Sequence, residues 1–220
     1  MKQKILLAIA TVAMAMSANA QKVYEGTKFT DNWYIGWNAG GVTPTTHSAF
    51  FKDMRFTTGL EFGKQVTPIL GLSFEAMTSI NRTASSTAFD GARLMALGKF
   101  NLNNWFAGYR GEPRLFEVEA VGGIGWGIDV MNRGYCDWDY CYMASKFGLN
   151  FNFNLGESKA WTLSVKPSLV YRMDGHRAYL LNVNKSSVEL LAGVTYHFRN
   201  SNGKHYMTLA LSLIHISEPT

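Results

Sequence analysis

Most of the chain alternates between apolar and polar positions with a period of two residues. Trp161, Leu163 and Val165 fall on one face of such a stretch, whereas Thr162 and Ser164 fall on the other. Strict alternation predicts β-strands whose two faces meet different surroundings. Eight stretches have this pattern, namely 33–42, 55–64, 68–79, 92–101, 115–128, 142–155, 161–172 and 187–198.

The connections between these stretches differ in length in a regular way. Segments 65–67 and 156–160 are short enough for tight turns, and the link 102–114 is longer. No segment of the mature chain carries a helical period of useful length. Short turns at one end and long loops at the other are typical of outer-membrane β-barrels. The long polar connections lie at 43–54, 80–91, 129–141 and 173–186.

Alternation alone also fits a soluble lipocalin-like barrel, in which the apolar face would point inward. The apolar face is rich in aromatic residues, and the polar face carries Gly, Asn, Ser and Thr with few charges. Aromatic girdles favour a membrane barrel, and a water-exposed face would need more charges. We therefore predict an all-β fold, an eight-stranded antiparallel up-and-down transmembrane β-barrel of the outer-membrane type, over 33–199. The predicted interfacial aromatics are Trp33, Trp37, Trp126, Trp161, Tyr171, Tyr196 and Phe198.

In this arrangement the polar face, which points inward, places eleven charged side chains inside the barrel. Five acids and six bases nearly balance, and a buried charge without a partner costs several kcal/mol, so we expect them to pair. The paired charges would form a polar plug, because an eight-stranded interior has little room beyond its own side chains. The alternative is a narrow, gated ion pathway. The eleven residues are Glu61, Glu75, Glu117, Glu119, Glu189, Arg55, Arg93, Lys99, Lys146, Lys166 and Arg172.

The composition agrees with many short amphipathic strands. Of the 220 residues 47% are hydrophobic, 14% aromatic and 17% charged. The longest apolar run, 5–16, is shorter than the roughly 17–25 residues of a spanning helix. The net charge of +5 includes Lys2 and Lys4, and no basic cluster points to nucleic acid. Disorder, a helical membrane protein and nucleic-acid binding are therefore not expected.

Both ends of the chain lie outside the predicted barrel. Residues 1–20 combine two lysines, an apolar run and a small-x-small site at Ala18 and Ala20, which predicts a signal peptide cleaved after Ala20. Export would place the barrel in the outer membrane, with lipid and lipopolysaccharide around it. We expect 21–32 to be a periplasmic lead-in and 200–210 to begin a linker. Residues 211–220 look like the translation of a sequencing adapter, hence a non-native tail.

Cys136 and Cys141 are the two cysteines and fall in a predicted external loop. An oxidising compartment favours a small loop disulfide, with free thiols as the alternative. Two thiols and two intervening aspartates without histidine make a poor zinc site, so no metal and no cofactor is expected.

The loops and the histidines leave two other functions as alternatives, an enzyme and a surface adhesin or receptor. A lipid-modifying enzyme would need a nucleophile and a base, and His47 with Ser48 is the one adjacent pair. Sequence neighbours rarely form a working dyad, so we expect no enzymatic activity. A surface adhesin or receptor acting through the long loops is a further alternative.

Four segments resemble the N-terminal barrel of OmpA-family outer-membrane proteins: GTKFTDNWYIGWNAGG (26–41), LGKFNLNNWFAGYRGEPRLFEVEAVGGIGWG (97–127), SKFGLNFNFNLGESKAWTLSVKPSLVYRMDG (145–175) and VELLAGVTYHFRNSNGKHY (188–206). The resemblance implies a structural, anchoring role in the cell envelope. It also implies that Phe198 helps the barrel-insertion machinery recognise the chain. In that family a periplasmic domain that grips peptidoglycan follows the barrel, so peptidoglycan would be a partner only through a missing C-terminal domain.

Overall fold

Each of the eight alternating stretches forms one β-strand, and the strands close into a barrel. The computed structural model describes residues 24–46, 51, 54–80, 89–129, 141–173 and 183–210. The elements are β1 (Tyr24–Glu25), β2 (Trp33–Pro44), β3 (Arg55–Gln65), β4 (Leu70–Ile80), β5 (Phe89–Asn101), α1 (Leu102–Ala107), β6 (Phe116–Asp129), β7 (Cys141–Leu155), β8 (Trp161–Arg172), a 3-10 turn (Val183–Lys185), β9 (Ser186–His197) and β10 (Thr208–Leu209).

Strands β2 to β9 pair antiparallel with their sequence neighbours, and β9 returns to pair with β2. The closing register places Tyr34 opposite His197 and Trp37 opposite Val194. The predicted fold class, an eight-stranded antiparallel β-barrel, is therefore confirmed. Closure leaves the barrel strands without an open sheet edge. We call the end of the barrel with the short connections at 66–69 and 156–160 the turn end, and the opposite end the loop end.

The apolar face of every barrel strand points outward. In β8, Trp161, Leu163 and Val165 are exposed, whereas Thr162 and Ser164 are buried. This order is the reverse of a soluble barrel, which would hide its apolar face. It agrees with a barrel whose surroundings are lipid. No helix in the described part of the chain is long and apolar enough to span a membrane.

One sector of the interior is apolar, which the alternation did not predict. Met95 and Leu97 of β5 are buried there together with Val121, Ala144 and Val170. Their register partners on β6 are glycines, since Met95 faces Gly125 and Leu97 faces Gly123. A large side chain on one strand therefore fills the space that glycine leaves on the next, as a narrow barrel interior requires.

The turn end carries structure that the sequence analysis missed. The predicted link 102–114 begins with a short helix, α1, although no helical period was found. The predicted lead-in and linker pair with each other, because Tyr24 and Glu25 of β1 hydrogen-bond to Leu209 and Thr208 of β10. Two-residue strands and a six-residue helix are too short to produce a readable period.

Candidate functional site

Three carboxylates form the centre of the barrel interior. Glu61 on β3 and Glu75 on β4 are direct register partners, and Glu189 reaches the interior from β9. All three side chains are buried. Three buried anions at this depth require cations from other strands, because an uncompensated buried charge costs several kcal/mol.

The cations come from β5, β7 and β8. Lys166 Nζ lies 2.7 Å from Glu61 Oε2, and Lys99 forms a second ion pair with Glu61. Lys146 Nζ lies 2.6 Å from Glu75 Oε1 and 2.7 Å from Glu189 Oε1. This lysine therefore joins carboxylates on β4 and β9, two strands that are not paired in the sheet.

The remaining groups complete the network. Arg93 forms an ion pair with Glu189. Asn38 of β2 donates to Glu61 at 3.3 Å and to Glu75 at 3.5 Å, and its side-chain oxygen accepts from Lys166 at 2.9 Å. We call these eight residues the charge layer: Asn38, Glu61, Glu75, Arg93, Lys99, Lys146, Lys166 and Glu189.

Asn38 was not among the predicted site residues, although its inward position could be read from the alternation of β2. The prediction selected charged residues on the inward face, and the Asn38 amide is neutral. In the structure it is fully buried and links the two halves of the charge layer. Buried polar residues at inward positions are therefore as informative as the charged ones.

Glu117 and Glu119 were predicted to join the interior charges, but they lie on β6 nearer the turn end. Glu117 accepts hydrogen bonds from the Asn101 side chain at 3.1 Å and from the backbone amide of Arg114 at 3.1 Å. Glu119 accepts from Asn150 at 3.5 Å. Amide groups therefore donate the hydrogen bonds to these two carboxylates, and Lys99 interacts with Glu119 through charge.

Arg55 and Arg172, also predicted as interior charges, lie at the loop end. The Arg172 guanidinium stands 3.8 Å from the centre of the Tyr142 ring. Both arginines line a cavity of about 370 Å³ on the loop side of the charge layer, together with Arg93. Arg55 is exposed, contrary to the prediction of an interior charge, because it begins β3 at the loop end. The eleven predicted charges thus lie at three levels along the barrel.

A second cavity, of about 100 Å³, lies on the turn side of the charge layer. Several water molecules fit there, since one needs roughly 10–15 Å³ of such space. Lys99 and Lys166 line it from the charge layer, and Tyr109, Tyr206 and Met207 line it at the turn end. The charge layer thus lies between two cavities, each of which is lined in part by charged side chains.

Residues that precede and follow the barrel line the turn end of this second cavity, a role that sequence reasoning missed. The Tyr109 hydroxyl donates to the Met207 carbonyl at 2.5 Å, and burial raises the pKa of Tyr109. Asn32 and Asn200 exchange hydrogen bonds at 2.6 Å. We call residues 24–32, Tyr109 and residues 199–209 together the cap.

Of the predicted interfacial aromatics, Trp33, Trp161, Tyr196 and Phe198 lie at the turn end of their strands. Trp37 and Trp126 are exposed on the outward face, Trp126 nearer the loop end. Tyr171 differs from the expectation, because only 8% of it is exposed. Its register partners across the sheet are the small residues Ser145 and Ser186.

The predicted loop disulfide and the His47–Ser48 pair involve residues outside those that the structure describes. Cys141 begins β7, whereas Cys136 and His47 lie outside the residues that the structure describes, so the disulfide stays a prediction. No group of three potential metal-ligating side chains occurs in the described ranges.

Comparison with known proteins gives a match by structure. No family model and no curated protein matches the chain. Neisserial surface protein A superposes with a TM-score of 0.55 at 14% identity, covering 80% of this chain and 100% of that one. The N-terminal β-barrel domain of Pseudomonas aeruginosa OprF gives 0.47 at 10% identity, covering 74% and 96%. Ail, the attachment invasion locus protein of Yersinia pestis, gives 0.41 at 10% identity, covering 74% and 95%.

At 14% identity the similarity to the Neisserial protein is a similarity of fold. The closed barrel of eight strands agrees with this similarity. The outward apolar face agrees as well, because an outer-membrane barrel exposes its apolar residues to lipid. The chain is an eight-stranded β-barrel with the fold of outer-membrane proteins.

Proposed function

We propose that the chain is the membrane-spanning domain of an OmpA-like outer-membrane protein, with an anchoring role in the cell envelope and a closed interior. The charge layer carries the proposal. Five ion pairs cross the interior, and every paired side chain except the partly exposed Arg93 is buried. The paired groups come from β3, β4, β5, β7, β8 and β9. A buried network of this kind resists rearrangement, because each broken pair leaves an unpaired charge.

The expected location follows from the sequence together with the fold. A signal peptide at 1–20 would export the chain, and the outward apolar face would then lie against lipid and lipopolysaccharide. Phe198, exposed directly after β9, would be the residue that the insertion machinery recognises. Peptidoglycan would be contacted only by a domain beyond this barrel. Fractionation of cells that express the full chain tests the location, with heat-modifiable gel migration as the assay for a folded barrel.

Conductance in planar bilayers tests the closed interior. We expect the folded protein to give no large, stable conductance. Lys146→Ala should introduce conductance, because it removes the cation that joins Glu75 to Glu189. Lys204→Ala, which removes an exposed lysine outside the barrel strands, is the matched control and should stay silent. A large, stable conductance of the unmodified protein would overturn the closed interior.

A small gated ion pore is the second candidate, and the two cavities favour it. They approach the charge layer from opposite ends, with Arg93 at the loop side and Lys166 at the turn side. A pore would need only the charge layer to exchange partners. Brief, repeated openings of the unmodified protein that disappear when the charge layer is altered would support this second function.

A further inference from the structure

Helix α1 presents two adjacent aromatic side chains to the outside of the barrel at the turn end. Trp105 is 52% exposed and Phe106 is 78% exposed. Leu115, just before β6, is 66% exposed. Single exposed apolar residues are ordinary on protein surfaces, but three large ones in the single connection between β5 and β6 are a local concentration of apolar surface. We call Trp105, Phe106 and Leu115 the rim patch.

The helix that carries the rim patch is held firmly to the barrel by its polar side. The Asn101 side chain caps the helix by accepting from the Asn104 amide at 2.9 Å. Asn104 donates to the Pro68 carbonyl at 2.8 Å and accepts from Arg114 at 2.5 Å. Asn103 accepts from the Val118 amide at 2.7 Å. The polar side therefore fixes which way the aromatic side points.

The rim patch continues the outward apolar surface of the barrel. The Trp105 ring meets the Phe100 ring edge-on at 5.1 Å, and Phe100 occupies an outward position near the end of β5. Phe106 lies 4.7 Å from Trp105. On the next strand, Phe116 is exposed and packs 5.0 Å from Phe153. The outward surface of β5, β6 and β7 thus extends past the strand ends onto the helix.

The two short turns at this end of the barrel differ from the connection that contains α1. The connection after β7 contains Glu157, Ser158 and Lys159 and ends at Ala160, so it presents charge to its surroundings. The connection after β3 contributes one exposed apolar side chain, Val66. Among the connections between barrel strands at the turn end, the one that contains α1 therefore carries the aromatic extension. A further exposed aromatic at this end, Phe29, belongs to the lead-in and packs at 5.9 Å against Trp33.

We propose that α1 is a membrane-interface anchor, which inserts Trp105 and Phe106 among the lipid headgroups and upper acyl chains of the leaflet at the turn end. The proposal rests on the proposed function, since it requires that the barrel spans a membrane. Lipid is the occupant because the rim patch is continuous with the surface that lipid already covers. Tryptophan and phenylalanine on one side of a short amphipathic helix suit this boundary.

Quenching by brominated lipid tests the proposal. The full chain is folded into phosphatidylcholine vesicles whose acyl chains carry or lack bromine, and tryptophan emission is recorded. The emission of wild type minus that of Trp105→Phe gives the contribution of Trp105. We expect a blue-shifted emission that bromine quenches. The same subtraction with Trp126→Phe reports a tryptophan on the outward face of β6, 62% exposed, and serves as the control.

A second variant protects the test against a folding defect in Trp105→Phe. Phe106→Trp adds a tryptophan at a side chain that is 78% exposed, and its added emission should also be quenched by bromine. Heat-modifiable migration confirms that each variant is folded.

The outcomes separate the two proposals. Quenching of Trp126 with red-shifted, unquenched emission of Trp105 would overturn the anchor and leave the membrane barrel intact. Blue-shifted but unquenched emission of Trp105 would also overturn it, since protein rather than lipid, for instance a second copy, would then cover the patch. If neither tryptophan is quenched, the membrane-spanning function itself fails.

Discussion

Glu61 and Glu75 face each other as direct register partners on β3 and β4, with both carboxylates buried inside the barrel. Like charges directly opposite on neighbouring strands destabilise a sheet. The pair is tolerated because lysines from the far wall neutralise it, Lys166 at Glu61 and Lys146 at Glu75. The repulsion between the two acids thus makes the cross-barrel contacts necessary.

This arrangement connects almost the whole circumference. The charge layer takes side chains from β2, β3, β4, β5, β7, β8 and β9, and only β6 contributes none to it. Residues such as Lys146 join strands that share no backbone hydrogen bonds. The charge layer can therefore form only in a correctly closed barrel, because its members meet only when all these strands are in register.

The first prediction concerns Lys146. Replacing it by methionine keeps much of the volume but leaves Glu75 with Asn38, at 3.5 Å, as its remaining hydrogen-bond donor. Breaking a buried ion pair by removing one partner costs about 3–5 kcal/mol. We expect Lys146→Met to lower the free energy of unfolding by an amount in this range, measured by urea titration of the protein in lipid vesicles.

A second substitution checks the cause. Lys146→Met with Glu75→Gln removes the orphaned charge and should recover part of the lost stability. Lys204→Met, at an exposed lysine, should have little effect. A double variant as unstable as Lys146→Met alone would show that lost packing, rather than an unpaired carboxylate, causes the change.

The alternation of residues predicted the strands well, because a period of two forces each side chain to one face or the other. It placed Lys146 and Glu189 inside correctly, but it could not tell which charges would meet. Depth along the barrel depends on strand stagger, which no single strand encodes. Glu119 therefore shares the inward face with Glu61 but accepts its hydrogen bond from Asn150, and Arg172 lies over the Tyr142 ring at the loop end.

The second prediction concerns the glycines of β6. A Cβ on Gly123 would collide with the backbone oxygen of Ala96 and with Leu97, whereas one on Gly122 would meet only the Phe147 ring, at 3.4 Å. Overpacking of this kind costs about 1–3 kcal/mol. We expect Gly123→Ala to destabilise the barrel by that amount, measured by urea unfolding, while its neighbour Gly122→Ala stays close to wild type. Equal stabilities of the two variants would contradict the close packing of β5 against β6.

The cap and α1 were beyond reach of the sequence pattern for a different reason. Their contacts join residues far apart in the chain, such as Tyr109 with Met207 and Asn32 with Asn200. Their elements are too short for any period to appear. What the sequence does show is a cluster of asparagines near the barrel ends, and asparagine is a residue of caps and turns.

The third prediction concerns Tyr109. Its hydroxyl donates to the Met207 carbonyl, and its ring meets Tyr24 edge-on at 6.0 Å. Tyr109→Phe keeps the ring and removes the hydrogen bond, which is worth about 0.5–1.5 kcal/mol. We expect faster hydrogen exchange in residues 199–209, measured by mass spectrometry, with the barrel strands unchanged. Tyr206→Phe is the control, since Tyr206 also lines the cavity; an equal effect of both would remove the special role of Tyr109.

The fourth prediction concerns acid and the cap. Burial by itself raises the pKa of Asp31, but hydrogen bonds from the Ser201 hydroxyl and amide and from the Lys28 amide outweigh it, so the pKa lies below its ordinary value. These contacts measure 2.7, 2.8 and 3.0 Å. A lowered pKa in the folded state means that ionised Asp31 stabilises the cap above the unfolded carboxyl pKa of about 3.9. That stability is lost as the pH falls through the folded value.

We therefore expect residues 199–209 to exchange hydrogen faster, after correction for the intrinsic rate, once the pH drops below about 4. Asp31→Asn should exchange faster already at neutral pH, because a neutral amide accepts more weakly than a carboxylate. Its exchange should also change less with acid. Wild type and Asp31→Asn share every other residue of the cap, so the difference between the two isolates Asp31. An acid response of the same size in Asp31→Asn would show that another group controls the cap.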